Sequence, residues 1–145
     1  MLKEFFRILK PDGKIMVMVY NYPSIWVHLY VVYVLQLELG KFENLSVLEA
    51  FQHSTDGGNC PISNCYTPTQ LLEIFQDAGF DGIFTGSYIS LTELKYLERR
   101  FDAIGDERLP DEHREFLSNL RFNDRGLPLY EGAVAGIGGC YSFNK

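Results

Sequence analysis

LKEFFRILKPDGKIMVMVYN, residues 2–21, decides how the chain is read. Leu2, Phe5, Phe6 and Leu9 fall at i, i+3, i+4 and i+7, while Lys3, Glu4, Arg7 and Lys10 take the other side, which is the spacing of an amphipathic helix. Pro11-Asp12-Gly13 ends it, because proline cannot continue a helix and glycine readily takes the positive φ of a tight turn. A strand follows at Ile15–Tyr20. It shows no polar alternation, so both of its faces are expected to be covered, as in the interior of a parallel sheet flanked by helices. Such a strand needs a neighbour on each edge. Nothing ahead of the helix supplies one, and the expectation is of a sheet that has been cut.

Composition bounds the possibilities. The 145 residues are 46% hydrophobic and 14% aromatic, enough for one domain with its own core. A formal charge of -6 without a basic cluster argues against a nucleic-acid partner. No signal-peptide pattern opens the sequence, and three cysteines make no disulfide framework, so a reducing, cytoplasmic setting is expected. The most apolar run, Ile25–Leu35, is broken by His28 and is too short to cross a bilayer, so no membrane association is expected.

Ser24 precedes a predicted helix from Ile25 to about Leu39, closed by Gly40. Trp26, Leu29, Tyr30, Tyr33 and Leu37 form one stripe, but valines carry apolar surface round the cylinder. Their β-branched content also keeps a strand reading open. Either way the segment must be buried or meet a partner. Ser46–Glu49 has capping-box spacing and begins a short helix ending near Gln52, which makes 24–52 a helical insertion. His53 to Cys65 reads as a long loop. Thr67-Pro-Thr-Gln70 opens a helix closed by Gly79, and Phe80–Ser90 reads as a strand. Ser90–Glu93 opens another helix, with Leu94, Leu97, Phe101 and Ile104 inward. A further helix is predicted at about Asp111–Leu120, a turn-rich stretch at 123–128, and a final strand at 138–143.

The succession of helix, RILKPDG (residues 7–13), apolar strand, insertion, YTPTQLLEIFQDAGF (residues 66–80), strand, helices and terminal strand resembles the C-terminal half of a class I S-adenosylmethionine-dependent methyltransferase. Asp12 stands where that family usually has its first glycine. The resemblance implies an α/β fold: a partial Rossmann-like sheet holding the fifth, seventh and sixth strands, in the order Ile15–Tyr20, Gly138–Phe143, Gly82–Ser90. In that family the cofactor lies on the N-terminal half, and its glycine-rich loop has no counterpart here. Gly136-Ile-Gly-Gly139 lacks the required spacing and reads as turn and close-packing positions. No cofactor-binding residue is therefore expected, nor binding of S-adenosylmethionine by this chain alone.

The same resemblance places Tyr20, Asn21 and Tyr22, where the first strand ends, beside a small-molecule methyl acceptor, with the insertion as part of a lid. Without it, the tyrosines read as core aromatics and Asn21 as a turn residue. In the long loop, His53 and Asp56 are candidate acceptor-binding residues, His53 as a base tuned by Asp56, against the plainer reading of solvated turn formers; Asn59 and Asn64 join them. His53, Cys60 and Cys65 share that loop but lack zinc-pair spacing, so no metal is expected there. His28 reads as a partly buried hydrogen-bonded side chain and His113 as part of a solvated helix face. Two functions remain open. One is the acceptor-side portion of a methyltransferase, inactive alone, with its catalytic residues unassigned; the other is a non-catalytic assembly module on the same scaffold. Self-association through the exposed strand 15–20 is expected in the isolated chain.

Overall fold

The computed structural model describes residues 1–145. Helix α1 (Leu2–Ile8) leads through a turn into strand β1 (Lys14–Asn21). Asp12, not Gly13, takes the left-handed conformation, with φ 64°. Its short carboxylate side chain is among the few that tolerate that region, and this is the position where the resemblance implies glycine.

Four strands form a mixed sheet in the order β2-β1-β7-β3, where β2 is Cys65–Tyr66, β3 is Asp81–Tyr88 and β7 is Gly138–Asn144. Strand β7 runs antiparallel to both β1 and β3, which are therefore parallel to each other, and β2 pairs parallel with the end of β1. The expected order of first strand, last strand, third strand is present. The expected bare edge is modified: Cys65 and Tyr66 pair with Tyr20 and Asn21, leaving 14–19 without a partner on that side. Gly136, just ahead of β7, is a close-packing position, since a Cβ there would overlap the Tyr88 carbonyl.

One face of the sheet is covered. Helices α1 and α3 (Pro68–Gln76) press Phe6, Leu71 and Phe75 onto Ile15, Val17, Tyr141 and Phe143, with the Phe75 and Phe143 rings stacked 3.8 Å apart. Full burial of such a side chain is worth about 1.5–3 kcal/mol. The other face is open, contrary to the expectation of a strand covered on both sides: Met16 is 82% exposed, Met18 66% and Ile83 64%. Methionine and isoleucine on both faces of a strand signal burial in sequence, but here no helix crosses the second face.

The apolar segment after β1 is a π-helix, Trp26–Glu38, rather than the expected α-helix or the alternative strand. It is no lid. Leu29, Val32 and Tyr33 lie in one core cluster and Val27 and Val31 in another, so the segment is the hub on which helices α2 (Val47–Thr55) and α6 (Asp111–Asn119) pack. A helix apolar on all sides is buried, as its composition requires. The three capping boxes at Ser46, Thr67 and Ser90 are all formed. Helix α2 runs on to Thr55, past the expected end, and so takes in His53.

After the Ser90 box, helix α4 (Leu91–Tyr96) passes through a 3-10 turn (Leu97–Arg99) into α5 (Arg100–Gly105). The tighter turn shifts the helical phase. Phe101, expected inward, is 74% exposed, and Arg100 points in instead, donating to the carbonyls of Leu117, Ser118 and Leu120 at the end of α6. A cation placed there satisfies carbonyls that the helix leaves unpaired. Strands β4 (Arg121–Phe122), β5 (Pro128–Tyr130) and β6 (Ala133–Val134) form a small antiparallel meander before β7. No helix is long and apolar enough to cross a membrane.

Candidate functional site

The parallel strands β1, β2 and β3 end on the same side of the sheet. There Tyr20, Tyr66 and Tyr88, at or next to the last position of each strand, line a cleft of about 510 Å3 with Asp56, Ser63 and Asn64. The Tyr20 hydroxyl donates to Asp56 Oδ1 at 2.7 Å, and the Ser63 hydroxyl donates to Asp56 Oδ2. Helix α2 places Asp56 at its C-terminal cap and β1 places Tyr20 opposite, its ring edge-on to Phe51 at 5.2 Å. Hydrogen bonding to Asp56, with some burial, pushes the Tyr20 hydroxyl up to about 12. Tyr20 thus stays protonated at neutral pH with its proton committed to Asp56, so that the cleft presents a carboxyl side chain braced by the Tyr20 and Ser63 hydroxyls among mostly aromatic and apolar residues.

The five residues singled out in the sequence part company here. Tyr20 and Asp56 meet. His53 lies one turn back on α2, stacked on Phe42 at 5.8 Å, while both Asp56 oxygens are taken by Tyr20 and Ser63, so the expected His53–Asp56 pair is not formed. Asn21 is buried, 2% exposed, and its amide faces the carbonyls of Pro23 and Gly136 and the Ser87 hydroxyl, tying together the ends of β1, β3 and β7. Tyr22 turns the other way, donating to Glu112 Oε1 at 2.8 Å.

That hydrogen bond belongs to a second cluster. His28, in the first turn of the π-helix, and His113, in the first turn of α6, are each 3% exposed, with their Nδ1 atoms 2.8 Å apart. The expectation that His113 lies on a solvated face is thus corrected. Phe116 stacks on His28 with ring centres 4.0 Å apart, and the Tyr22 ring meets it edge-on at 5.2 Å. Burial, reinforced by His113, pushes His28 down to about 3, against a hydrogen bond to the Tyr22 backbone; burial also lowers His113, against the pull of Glu112. Both imidazoles are therefore neutral at pH 7. His28, Glu112 and His113 each bring one ligand atom within 4.8 Å of the others, beside a cleft of about 380 Å3. The sequence does carry a signal for His113: with Phe116, Leu117 and Leu120 it makes an i, i+3, i+4, i+7 stripe.

No family model matches the chain, and no curated protein or solved structure is significantly similar to it.

Proposed function

We propose that the chain is the acceptor-side portion of a class I S-adenosylmethionine-dependent methyltransferase, its β1, β7 and β3 corresponding to that family's fifth, seventh and sixth strands. The observation that carries this reading is the position of the larger cleft. In open α/β sheets ligands gather beyond the carboxyl ends of the parallel strands, and Tyr20, Tyr66 and Tyr88 mark those ends. The sequence resemblance to the family and the observed strand order support it as well. On this reading the cleft receives a small, partly aromatic or apolar acceptor. Asp56 orients or deprotonates the accepting group, and Tyr20 holds Asp56 in place with its one hydroxyl proton, leaving the phenol oxygen free to accept from a donor on the methyl acceptor. S-adenosylmethionine belongs to the rest of the enzyme, which would pair with the unpartnered side of β1.

The test begins with the coding sequence ahead of Met1, expected to continue in frame through a strand and a glycine-rich loop. The longer polypeptide is expected to transfer labelled methyl from S-adenosylmethionine to a small acceptor, and residues 1–145 alone to show no saturable donor binding by calorimetry. Tyr20→Phe and Asp56→Asn in the longer chain should lower turnover, by about 10²-fold or more for the aspartate if it acts as the base, while leaving donor affinity unchanged. Saturable micromolar donor binding by the short chain, or unaltered kinetics in both variants, overturns the reading. The alternative, an assembly module on this scaffold, draws on the exposed Met16, Met18 and Ile83 and is favoured if the upstream sequence holds only a promoter.

A further inference from the structure

We propose that His28, Glu112 and His113 form a binding site for one zinc ion, with both histidines coordinating through Nδ1, Glu112 through its free carboxylate oxygen, and the fourth position open to the adjoining cleft. The site is independent of the tyrosine-lined cleft and of any methyl-transfer chemistry.

Two imidazoles and a carboxylate are a donor set suited to zinc, and three protein ligands with an open fourth position is the arrangement of zinc sites that admit water or an exogenous ligand. The fold itself brings the ligand atoms within 4.8 Å of one another. The two Nδ1 atoms face each other 2.8 Å apart across a shared hydrogen; to hold one ion that hydrogen moves to an Nε2, the atoms part to about 3.3 Å and both rings turn their lone pairs to a common point about 2.0–2.1 Å away. Surrounding contacts fix the ligands in the way outer partners do at metal centres. The Tyr22 hydroxyl occupies Glu112 Oε1 and leaves Oε2 free, while Phe116 and Tyr22 hold the His28 ring between them.

A second observation points to a cation independently of the ligands. The cleft beside the histidines is lined by Glu112, Glu115 and Glu131, with no lysine or arginine among its lining residues. Three carboxylates around one opening raise the local concentration of a divalent ion and provide its route in. The loop that looks nearest to a zinc motif in sequence supplies less: its buried thiol, Cys65, is pushed up to about 12 by burial and resists the deprotonation that zinc binding needs.

Calorimetric titration of the purified chain with zinc is the test, with cobalt in parallel for its ligand-field absorption. One ion per chain at micromolar affinity or tighter is expected, with cobalt bands of a nitrogen and oxygen site and no thiolate charge-transfer band. Glu112→Gln, which still accepts the Tyr22 hydroxyl and preserves the fold, should weaken binding about tenfold or more, and His113→Ala should abolish it. Cys60→Ser should leave it unchanged. Absence of micromolar binding, affinity unmoved by Glu112→Gln, or a thiolate band with cobalt overturns the proposal.

Discussion

Glu93 has no contact with solvent, yet three local or long-range donors converge on its carboxylate: the Ser90 N–H at 2.8 Å, the Ser90 hydroxyl at 2.9 Å and the Trp26 N–H at 3.3 Å. One side chain thus completes a helix cap and pins the start of the π-helix. Glu93→Ala leaves buried N–H groups unpaired and is expected to cost about 3 kcal/mol, seen as a lowered denaturation midpoint; Glu93→Gln keeps an acceptor and should cost less. Burial raises its carboxyl above 4.5, against the hydrogen bonds from the Ser90, Trp26 and Ile137 backbones. The folded protein therefore holds this proton where the unfolded chain has released it. That contribution is complete below 4.5 and is lost as pH climbs through the folded value. The midpoint difference between native protein and Glu93→Gln should accordingly shrink as pH rises from 4.5, and a difference that grows would mean that burial does not hold this proton on Glu93.

Elements whose ends are written in adjacent residues are legible from the sequence alone. The Thr67 box is an example: the Thr67 hydroxyl accepts from the Gln70 N–H at 3.3 Å and Gln70 Oε1 accepts from the Thr67 N–H at 2.9 Å, with Pro68 beginning the helix. Thr67→Ala is expected to lower stability by about 1 kcal/mol and Thr67→Ser to restore most of it, read by urea denaturation. Strands β2, β4 and β6 carry no comparable signal, because two residues become a strand only through the partner they meet. The π-helix is legible as buried, because its residues feed two core clusters, but no spacing of its residues marks it as π rather than α. Within the candidate sites, Tyr20 and Tyr22 look like a pair in sequence because they lie two apart, yet the exit of the chain from the strand sends them to different clefts. His113 is hidden by the charge of its neighbours, Asp111, Glu112, Arg114 and Glu115, although a helix sorts residues by angle and not by adjacency.

At the scale of the whole molecule, the sheet presents an unpaired edge at 14–19 and, beside it, an apolar face carrying Met16, Met18 and Ile83. The direction of each backbone group follows from the ladder. Asn21 N–H donates to Ile137 and the Gly13 carbonyl accepts from Lys145, both toward β7, whereas Tyr22 N–H donates toward β2. Odd-numbered residues of β1 therefore address β7, and the even-numbered Met16 and Met18 turn their N–H groups to the open edge. Such an edge, with no proline or bulge to deter pairing, recruits another strand, and in the isolated chain the strand available is β1 of a second copy. The chain by itself is expected to be a dimer or larger assembly by light scattering. Met16→Pro removes one outward donor while sparing the β7 ladder, and should shift the protein toward monomer without loss of its fold by circular dichroism; Val17→Pro would strike the internal ladder and unfold the sheet instead. Met16→Lys keeps the donor but places a charge on the open face, so a monomer there as well would assign the association to the face as much as to the edge. A monodisperse native monomer would mean that twisting of β1 or the short β2 strand already protects the edge, and would remove the structural reason for expecting further strands beside it.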